Sequence, residues 1–286
     1  MRDATKPFHG TSPKLVLALL LTAIFGGAFY LQLPESPLQV AHENKYKSPR
    51  RFSSLGRMEV PDFEAIANVE MKKRAFFDFL QPYVDAQNEK VQDQRERLLD
   101  VIGKIKSNVE PSRDDRVFIK TLGDEYEMDG EDYHDLDYLD RLLRRVDVLP
   151  PSLVLAQAAN ESGWGTSRFA QEAYNFFGQW CYVEGCGLVP GRRRDSSSHE
   201  VKTFNSIEEA VNAYFMNINT FPSYLDLRMI RESLRNDAKP IDGISLTEGL
   251  SSYSERGADY IDELQAMIYY NELLERDKII TQPRQD

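Results

Sequence analysis

The residue best placed to do chemistry in this sequence is Glu161, in the last turn of a largely apolar predicted helix. This helix follows Pro150 and Pro151 and ends at Gly163, in agreement with the usual preferences of proline and glycine at helix ends. The negative end of the helix dipole and the neighbouring Trp164 should disfavour the ionised carboxylate and raise its pKa. A carboxyl group that stays protonated near neutral pH can act as a general acid. In the alternative interpretation, Glu161 only satisfies the helix end through a capping N–H or an arginine.

The residues around Glu161 form a double motif, Glu-Ser-Gly-Trp-Gly followed by Tyr174-Asn175-Phe176-Phe177-Gly178. The motif resembles the glucosaminidase domains of bacterial cell-wall hydrolases, in which a catalytic Glu in E-S-x-[WY]-G is followed by N-[LF]-[FW]-G. The resemblance runs from about Leu149 to about Tyr270. With the upstream stretch MKKRAFFDFLQPYV, the chain is similar to the Bax family of Gram-negative envelope proteins. The resemblance implies a lysozyme-like fold that cleaves the peptidoglycan glycan strand.

This family implies a specific activity, an endo-β-N-acetylglucosaminidase that cuts the β-1,4 bond after N-acetylglucosamine with Glu161 as general acid. A lytic transglycosylase on the same scaffold is an alternative, in which one Glu serves as acid and base. A wall-binding scaffold without turnover is another.

A second carboxyl group usually assists glycoside hydrolysis, and the sequence leaves its identity open. Asp195 and Glu200 lie where the family commonly places it, and Glu184 is a weaker candidate. Alternatively, the N-acetyl group of the substrate stabilises the cation. No metal or cofactor is required for this chemistry.

Several further residues are candidates for substrate binding. Trp164 and Phe177 are also consistent with core positions, whereas the polar edges of Tyr174 and Trp180 tolerate exposure and suit sugar platforms. Tyr224 matches a position where the family often has an aromatic residue, and Tyr253 begins a stretch ending at Tyr260 that loosely resembles the family's Y-A-x-D-x-x-Y. The full candidate set is Trp164, Tyr174, Asn175, Phe177, Trp180, Tyr224 and Tyr253.

The two cysteines, Cys181 and Cys186, enclose four residues and favour a disulfide in an oxidising compartment. A zinc site is the rival interpretation, although no second cysteine pair exists. Residues 179–204 should form a small β-hairpin lobe on one side of the cleft. Within it, Arg192, Arg193 and Arg194 either bind carboxylates of peptide stems or form an exposed basic loop.

Composition excludes one class of function. Lys and Arg number 35 against 46 Asp and Glu, a net charge of -11. A protein whose main partner is nucleic acid should show a basic excess, so no nucleic-acid partner is expected. The predicted partners are peptidoglycan glycan strands and the inner membrane, and no obligate protein partner is evident. The acidic stretch 123–137 lacks calcium-loop spacing and indicates a solvated loop.

The N-terminal segment predicts export. Residues 15–34 carry no charged side chain and are long enough to span a bilayer. Basic residues before them place the N-terminus inside. An uncleaved inner-membrane anchor with a periplasmic catalytic domain is expected in a Gram-negative envelope. A cleaved signal peptide would secrete the domain into the periplasm instead.

The elements that position these residues are mainly α-helical. The sequence predicts a stub and transmembrane segment at 1–34, a flexible linker at 35–60 and accessory helices at 61–112. The glucosaminidase domain, lysozyme-like and α+β with the β-hairpin lobe, should span 113–276, before a polar tail at 277–286. The long accessory helix should pack on the catalytic domain, and a coiled-coil dimer seam is the alternative.

Overall fold

The computed structural model describes residues 59–128, 130, 134–190, 200–251, 253 and 256–279. This part of the chain is mainly helical, as the sequence predicts. Its α-helices are α1 (Val69–Lys106), α2 (Arg113–Glu125), α3 (Leu136–Arg145), α4 (Pro151–Ser162), α5 (Arg168–Ala173), α6 (Ile207–Thr220), α7 (Leu225–Asn236), α8 (Gly243–Thr247) and α9 (Ala258–Tyr270). Short 3₁₀ helices lie at Pro222–Tyr224, Glu248–Leu250 and Leu273–Ile279.

The small lobe between α5 and α6 is a three-stranded antiparallel sheet rather than a two-stranded hairpin. Its strands are β1 (Trp180–Cys181), β2 (Gly187–Leu188) and β3 (Glu200–Lys202), in the order β1-β3-β2. Val201 in the central strand pairs with Trp180 on one side and with Leu188 on the other. The central strand therefore holds both edges of the lobe together.

The long helix α1 packs against the rest of the described chain instead of standing apart. Asn68 caps its N-terminus by accepting a hydrogen bond from the Met71 N–H at 2.9 Å. The first half of α1 contributes Phe76, Phe77 and Leu80 to the large core, and its second half supplies Leu98, Val101 and Ile102 to a smaller core with α2 and α3. The packing interpretation therefore fits the structure.

The helix that carries Glu161, α4, lies in the centre of the large core. Its residues from Pro151 to Ala159 are all buried. Its buried N-terminus is satisfied by Asp277, whose carboxylate accepts hydrogen bonds from the Ser152 N–H at 2.8 Å and the Ser152 hydroxyl at 2.5 Å. Its C-terminus ends at Gly163, which adopts the left-handed conformation with φ 57°. Both ends of the helix are thus fixed.

A buried charge cluster anchors the chain just before α4. Arg235 makes two hydrogen bonds to the Asp147 carboxylate, at 2.6 and 2.7 Å, and Arg95 lies 3.3 Å from it. Arg231 is 0% exposed and donates to the carbonyls of Asp147 and Val148. Burial alone would raise the pKa of Asp147, but the arginines outweigh burial and hold this pKa below its usual value. The cluster joins α1 and α7 to the segment that enters α4.

The small lobe is closed by covalent and polar contacts. Cys181 and Cys186 form a disulfide. Both oxygens of the buried Glu200 accept backbone hydrogen bonds within the loop, from Gly185 at 3.1 Å and from Gly187 at 2.8 Å. The two sulfur atoms and one Glu200 oxygen lie within 4.8 Å of one another. Bonded cysteines offer no thiolates, however, so this group does not form the rival zinc site.

Some predictions concern residues outside the described part of the chain. These are the membrane-spanning segment 15–34, the linker up to residue 58, the basic residues Arg192 to Arg194 and Asp195. Within the described ranges, none of the helices has the length and apolar character needed to span a membrane. The last α-helix, α9, ends at Tyr270, and a 3₁₀ helix continues the chain over Leu273–Ile279.

Replacing Asp147 with Asn should destabilise the fold by about 3–5 kcal/mol, because three arginine side chains would lose a buried countercharge. Urea unfolding measures this loss. The exposed pair of Asp237 and Lys239, 2.9 Å apart, supplies the control, since Asp237→Asn should cost less than about 1 kcal/mol. The contribution of Asp147 is present above its unfolded pKa of about 3.9 and is lost as the pH falls through its lower folded pKa. Equal effects of the two substitutions would contradict the account.

Replacing both Cys181 and Cys186 with Ser should loosen the small lobe, with an expected loss of about 2 kcal/mol for so short a loop. Hydrogen exchange should accelerate at the Gly185 and Gly187 amides, while the amides of α4 keep their protection. A dithiol reductant should have the same effect on the wild type and none on the double variant. Unchanged exchange at both glycines would show that Glu200 alone holds the loop.

Candidate active site

The carboxyl group of Glu161 is half-buried among aromatic residues from later parts of the chain. The Tyr260 hydroxyl on α9 donates a hydrogen bond to Oε1 of Glu161 at 3.1 Å. The side-chain amide of Gln157, one turn earlier on α4, donates to the Tyr260 oxygen at 3.0 Å. Tyr214 on α6 in turn donates to the Gln157 carbonyl oxygen. A continuous hydrogen-bond chain therefore links three helices to the carboxyl group.

The electrostatics of Glu161 favour the protonated form. Burial raises its pKa, the hydrogen bond from Tyr260 lowers it, and the negative charge of Glu263 raises it, with a net upward shift. Among the residues that the structure describes, none of the Arg, Lys or His side chains forms an ion pair with Glu161. The predicted direction of the shift agrees with the structure. The main cause of the upward pKa shift is burial. Trp164, which was expected to contribute to the shift, packs against α1.

A tight turn brings the second half of the motif against the carboxyl group. Gly178 has φ 64°, and a Cβ atom at this position would lie 3.3 Å from Oε2 of Glu161. The side chain of Asn175 fixes the turn, since its NH₂ group donates to the carbonyls of Gln179 and Lys202, both at 2.8 Å, and its oxygen accepts from the Gln179 N–H. Asn175 therefore positions the turn and ties it to β3. A direct contact with a sugar stays a prediction.

Phe177, Tyr224 and Tyr253 lie around the same carboxyl group. Tyr253 stacks on Tyr260 with ring centroids 5.5 Å apart, and Tyr224 lies 5.8 Å from Tyr253. The Tyr253 hydroxyl donates to the Phe177 carbonyl at 3.2 Å, and the Phe177 ring stacks on Tyr214 at 4.1 Å. Burial and, to a smaller extent, the Glu161 charge raise the pKa of Tyr214, Tyr224, Tyr253 and Tyr260. These four hydroxyl groups therefore stay protonated and can donate hydrogen bonds.

The other aromatic candidates have separate surroundings. Trp164, with φ 61°, packs edge-on against Phe76 and Phe77 of α1, at 6.1 and 5.3 Å. Tyr174 is buried at the end of α5. Trp180, on the edge strand β1, is 55% exposed and offers an accessible ring. Exposure thus agrees with a platform role for Trp180. The ring contacts of the partly buried Trp164 and the burial of Tyr174 give these two residues a packing role.

The candidates for a second carboxylate differ in position. Glu200 is buried in β3 and binds the two loop amides described above. Glu184 is exposed within the disulfide loop, and Asp195 lies outside the described residues. The described carboxylate whose charge acts on Glu161 is Glu263, which pairs with Arg256 at 2.6 Å. Glu200 is buried and both of its oxygens accept backbone hydrogen bonds, so its position does not give it access to a substrate.

Sequence reasoning did not assign Tyr260, Gln157 or Tyr214 to the site. Gln157 precedes Glu161 by four residues and so faces the same side of α4, which is a signal that the sequence contains. Tyr260 ends the stretch that begins at Tyr253, although only Tyr253 was predicted to bind substrate. Tyr214 falls on the apolar stripe of α6, where its hydroxyl gives no periodic signal.

The chain is similar to a known protein family and to a known protein. Residues 136–273 match the glucosaminidase family, described as mannosyl-glycoprotein endo-beta-N-acetylglucosaminidase. The protein Bax of Escherichia coli K12 is 30% identical over 237 residues, which cover 82% of this chain and 81% of Bax.

Among solved structures, the catalytic domain of the autolysin Auto from Listeria monocytogenes matches with 17% identity and a TM-score of 0.39, covering 86% of this chain and 100% of that domain. A TM-score this low does not establish a common fold. The match to Bax extends over most of both chains, and the level of sequence identity shows that the two proteins belong to the same family. The chain therefore belongs to the Bax family and carries a glucosaminidase domain at residues 136–273.

Proposed function

We propose that this protein is a peptidoglycan hydrolase, an endo-β-N-acetylglucosaminidase that cleaves the β-1,4 bond after N-acetylglucosamine. The observation that carries the proposal is the half-buried Glu161 carboxyl, which has a raised pKa and accepts a hydrogen bond from Tyr260. A lysozyme-like arrangement of the catalytic domain is part of the proposal.

Glu161 is the general acid in the proposed reaction. Its proton passes to the bridging glycosidic oxygen, the bond to the anomeric carbon breaks, and positive charge develops on the ring. The carboxylate left behind keeps the hydrogen bond from Tyr260, which stabilises its new negative charge. A Cβ atom at position 178 would lie 3.3 Å from Oε2, so glycine at this position avoids crowding that oxygen. Tyr260 is thus a positioning residue that also limits how far the pKa rises.

The positive charge on the sugar needs a second group. Glu200 would have to give up two backbone hydrogen bonds to approach a substrate, so its geometry argues against this role. The proposal therefore assigns the role to Asp195 or to the N-acetyl oxygen of the substrate. In either case water completes the reaction at the anomeric carbon and leaves a reducing N-acetylglucosamine.

The proposed location is the envelope of a Gram-negative bacterium. Residues 15–34 would anchor the chain in the inner membrane, or direct its secretion if they are cleaved. The disulfide between Cys181 and Cys186 supports an oxidising compartment. Under this proposal, the catalytic domain faces peptidoglycan in the periplasm.

Glu161→Gln should lower the rate of glycan cleavage at least ~100-fold, the usual contribution of a general acid. The assay is release of soluble fragments from purified sacculi, with mass spectrometry of the ends. Glu89→Gln, an exposed change on α1, is the matched control and should keep full activity. Reducing N-acetylglucosamine ends are expected. Anhydro-muramic ends would identify a lytic transglycosylase, and sacculus binding without any release by the wild type would identify a scaffold.

Tyr260→Phe should move the alkaline limb of the pH profile of kcat/KM to higher pH. The Tyr260 hydrogen bond stabilises the ionised carboxylate and so lowers the pKa of Glu161, whereas burial raises it. Removing the hydrogen bond should therefore raise this pKa. Tyr269→Phe, at an exposed position on the same helix, is the control. A rate loss without any movement of the limb would reduce Tyr260 to a packing residue.

A further inference from the structure

A cavity lies between the N-terminal part of α1 and the segment after α9, and its lining includes none of the tyrosines around Glu161. Its volume is about 560 Å³, within the range of small-molecule sites. Phe77 lines it, and the surrounding charged residues are Glu70, Lys73, Arg74, Glu272, Glu275 and Arg276. Neither the proposed reaction nor the double motif uses these side chains.

The charges of the cavity balance, with three basic and three acidic side chains. Lys73 pairs with Glu70 at 3.2 Å, and Arg276 is held by Asp78 at 2.8 Å and by Gln81 at 3.0 Å. Arg74 and Glu272 are exposed, and among the residues that the structure describes neither side chain has an ion-pair partner. The cavity therefore offers one free cation and one free anion within its described lining, next to groups that are already paired.

This balance selects the kind of ligand. A polyanion or polycation would meet as much repulsion as attraction, whereas a molecule with both a carboxylate and an amine could pair with Arg74 and Glu272 together. The Phe77 ring lies 5.6 Å from the Arg276 guanidinium and 5.3 Å from the Trp164 ring, so it is covered on two sides and makes a poor sugar platform. The lining favours a short peptide over a neutral glycan.

The cavity also connects to the candidate active site through Trp164. Lys73 and Phe77 line the cavity and both contact the Trp164 ring, at 5.6 Å for the Lys73 ammonium. Trp164 lies three residues after Glu161, on the turn that ends α4. A ligand in the cavity would thus lie against the same helix end that carries the acid.

We infer that this cavity is a binding site for a short zwitterionic peptide, with Arg74 pairing a carboxylate and Glu272 pairing an amine. This inference rests on the proposed function, since peptidoglycan strands carry peptides of this chemistry beside the bond that Glu161 would cleave. The cavity would then hold the peptide of a strand whose glycan lies in the active site.

Isothermal titration calorimetry of the full chain at low salt tests the inference, with the synthetic tetrapeptide L-Ala–γ-D-Glu–meso-diaminopimelate–D-Ala as probe. Arg74→Gln and Glu272→Gln should each weaken binding about tenfold, as expected for the loss of one charge-assisted hydrogen bond. Arg141→Gln and Glu89→Gln, exposed changes on α3 and α1, should bind the peptide as the wild type does. The Arg74 effect should disappear when the carboxylates of the peptide are amidated.

No heat at ~10 mM peptide, or equal affinity in all variants, would overturn the inference. Displacement of the peptide by the N-acetylglucosamine tetrasaccharide would assign the cavity to glycan and overturn it as well. Peptide binding needs no turnover and should persist in Glu161→Gln. Cleavage of sacculi without peptide binding would therefore reject the cavity alone, and the predicted binding pattern without cleavage would reject the hydrolase alone.

Discussion

The site depends on a balance between burial and one hydrogen bond at the Glu161 carboxyl. Burial at the end of an apolar helix disfavours the negative charge, and Tyr260 partly compensates by donating to Oε1. Without the hydrogen bond the pKa of Glu161 would rise further, and without burial it would fall. The rest of the described chain places these two groups 3.1 Å apart.

Three features hold α4 in position for this balance. Asp277 satisfies its N-terminus, the Asp147 cluster anchors the segment before it, and α1 packs along it through the large core. The position of Tyr260 is set from the other side, since Gln157 and Tyr253 fix its hydroxyl and its ring. A short polar network in a packed core thus defines where the proton is held.

The sequence predicted α4 and its end at Gly163 well, because proline, apolar spacing and glycine are all local signals. It also predicted the direction of the Glu161 pKa shift. The hydrogen bond from Tyr260, which opposes this shift by lowering the pKa, was not predicted, since Tyr260 and Glu161 are 99 residues apart in sequence. The Asp147 cluster was missed for the same reason, as its arginines come from α1 and α7. The predicted β-hairpin lacked one of the three strands of the lobe, because strands of two residues leave almost no periodic signal in the sequence.

The most direct test of the account is the pKa of Glu161 itself, measured from the side-chain carboxyl ¹³C shift of the protein labelled at glutamate and assigned with Glu161→Gln. We expect a pKa above the usual glutamate value of about 4.3 in the wild type and a further rise in Tyr260→Phe. A value at or below that reference in the wild type would mean that Glu161 is ionised at neutral pH, and it would contradict the role of Glu161 as the acid.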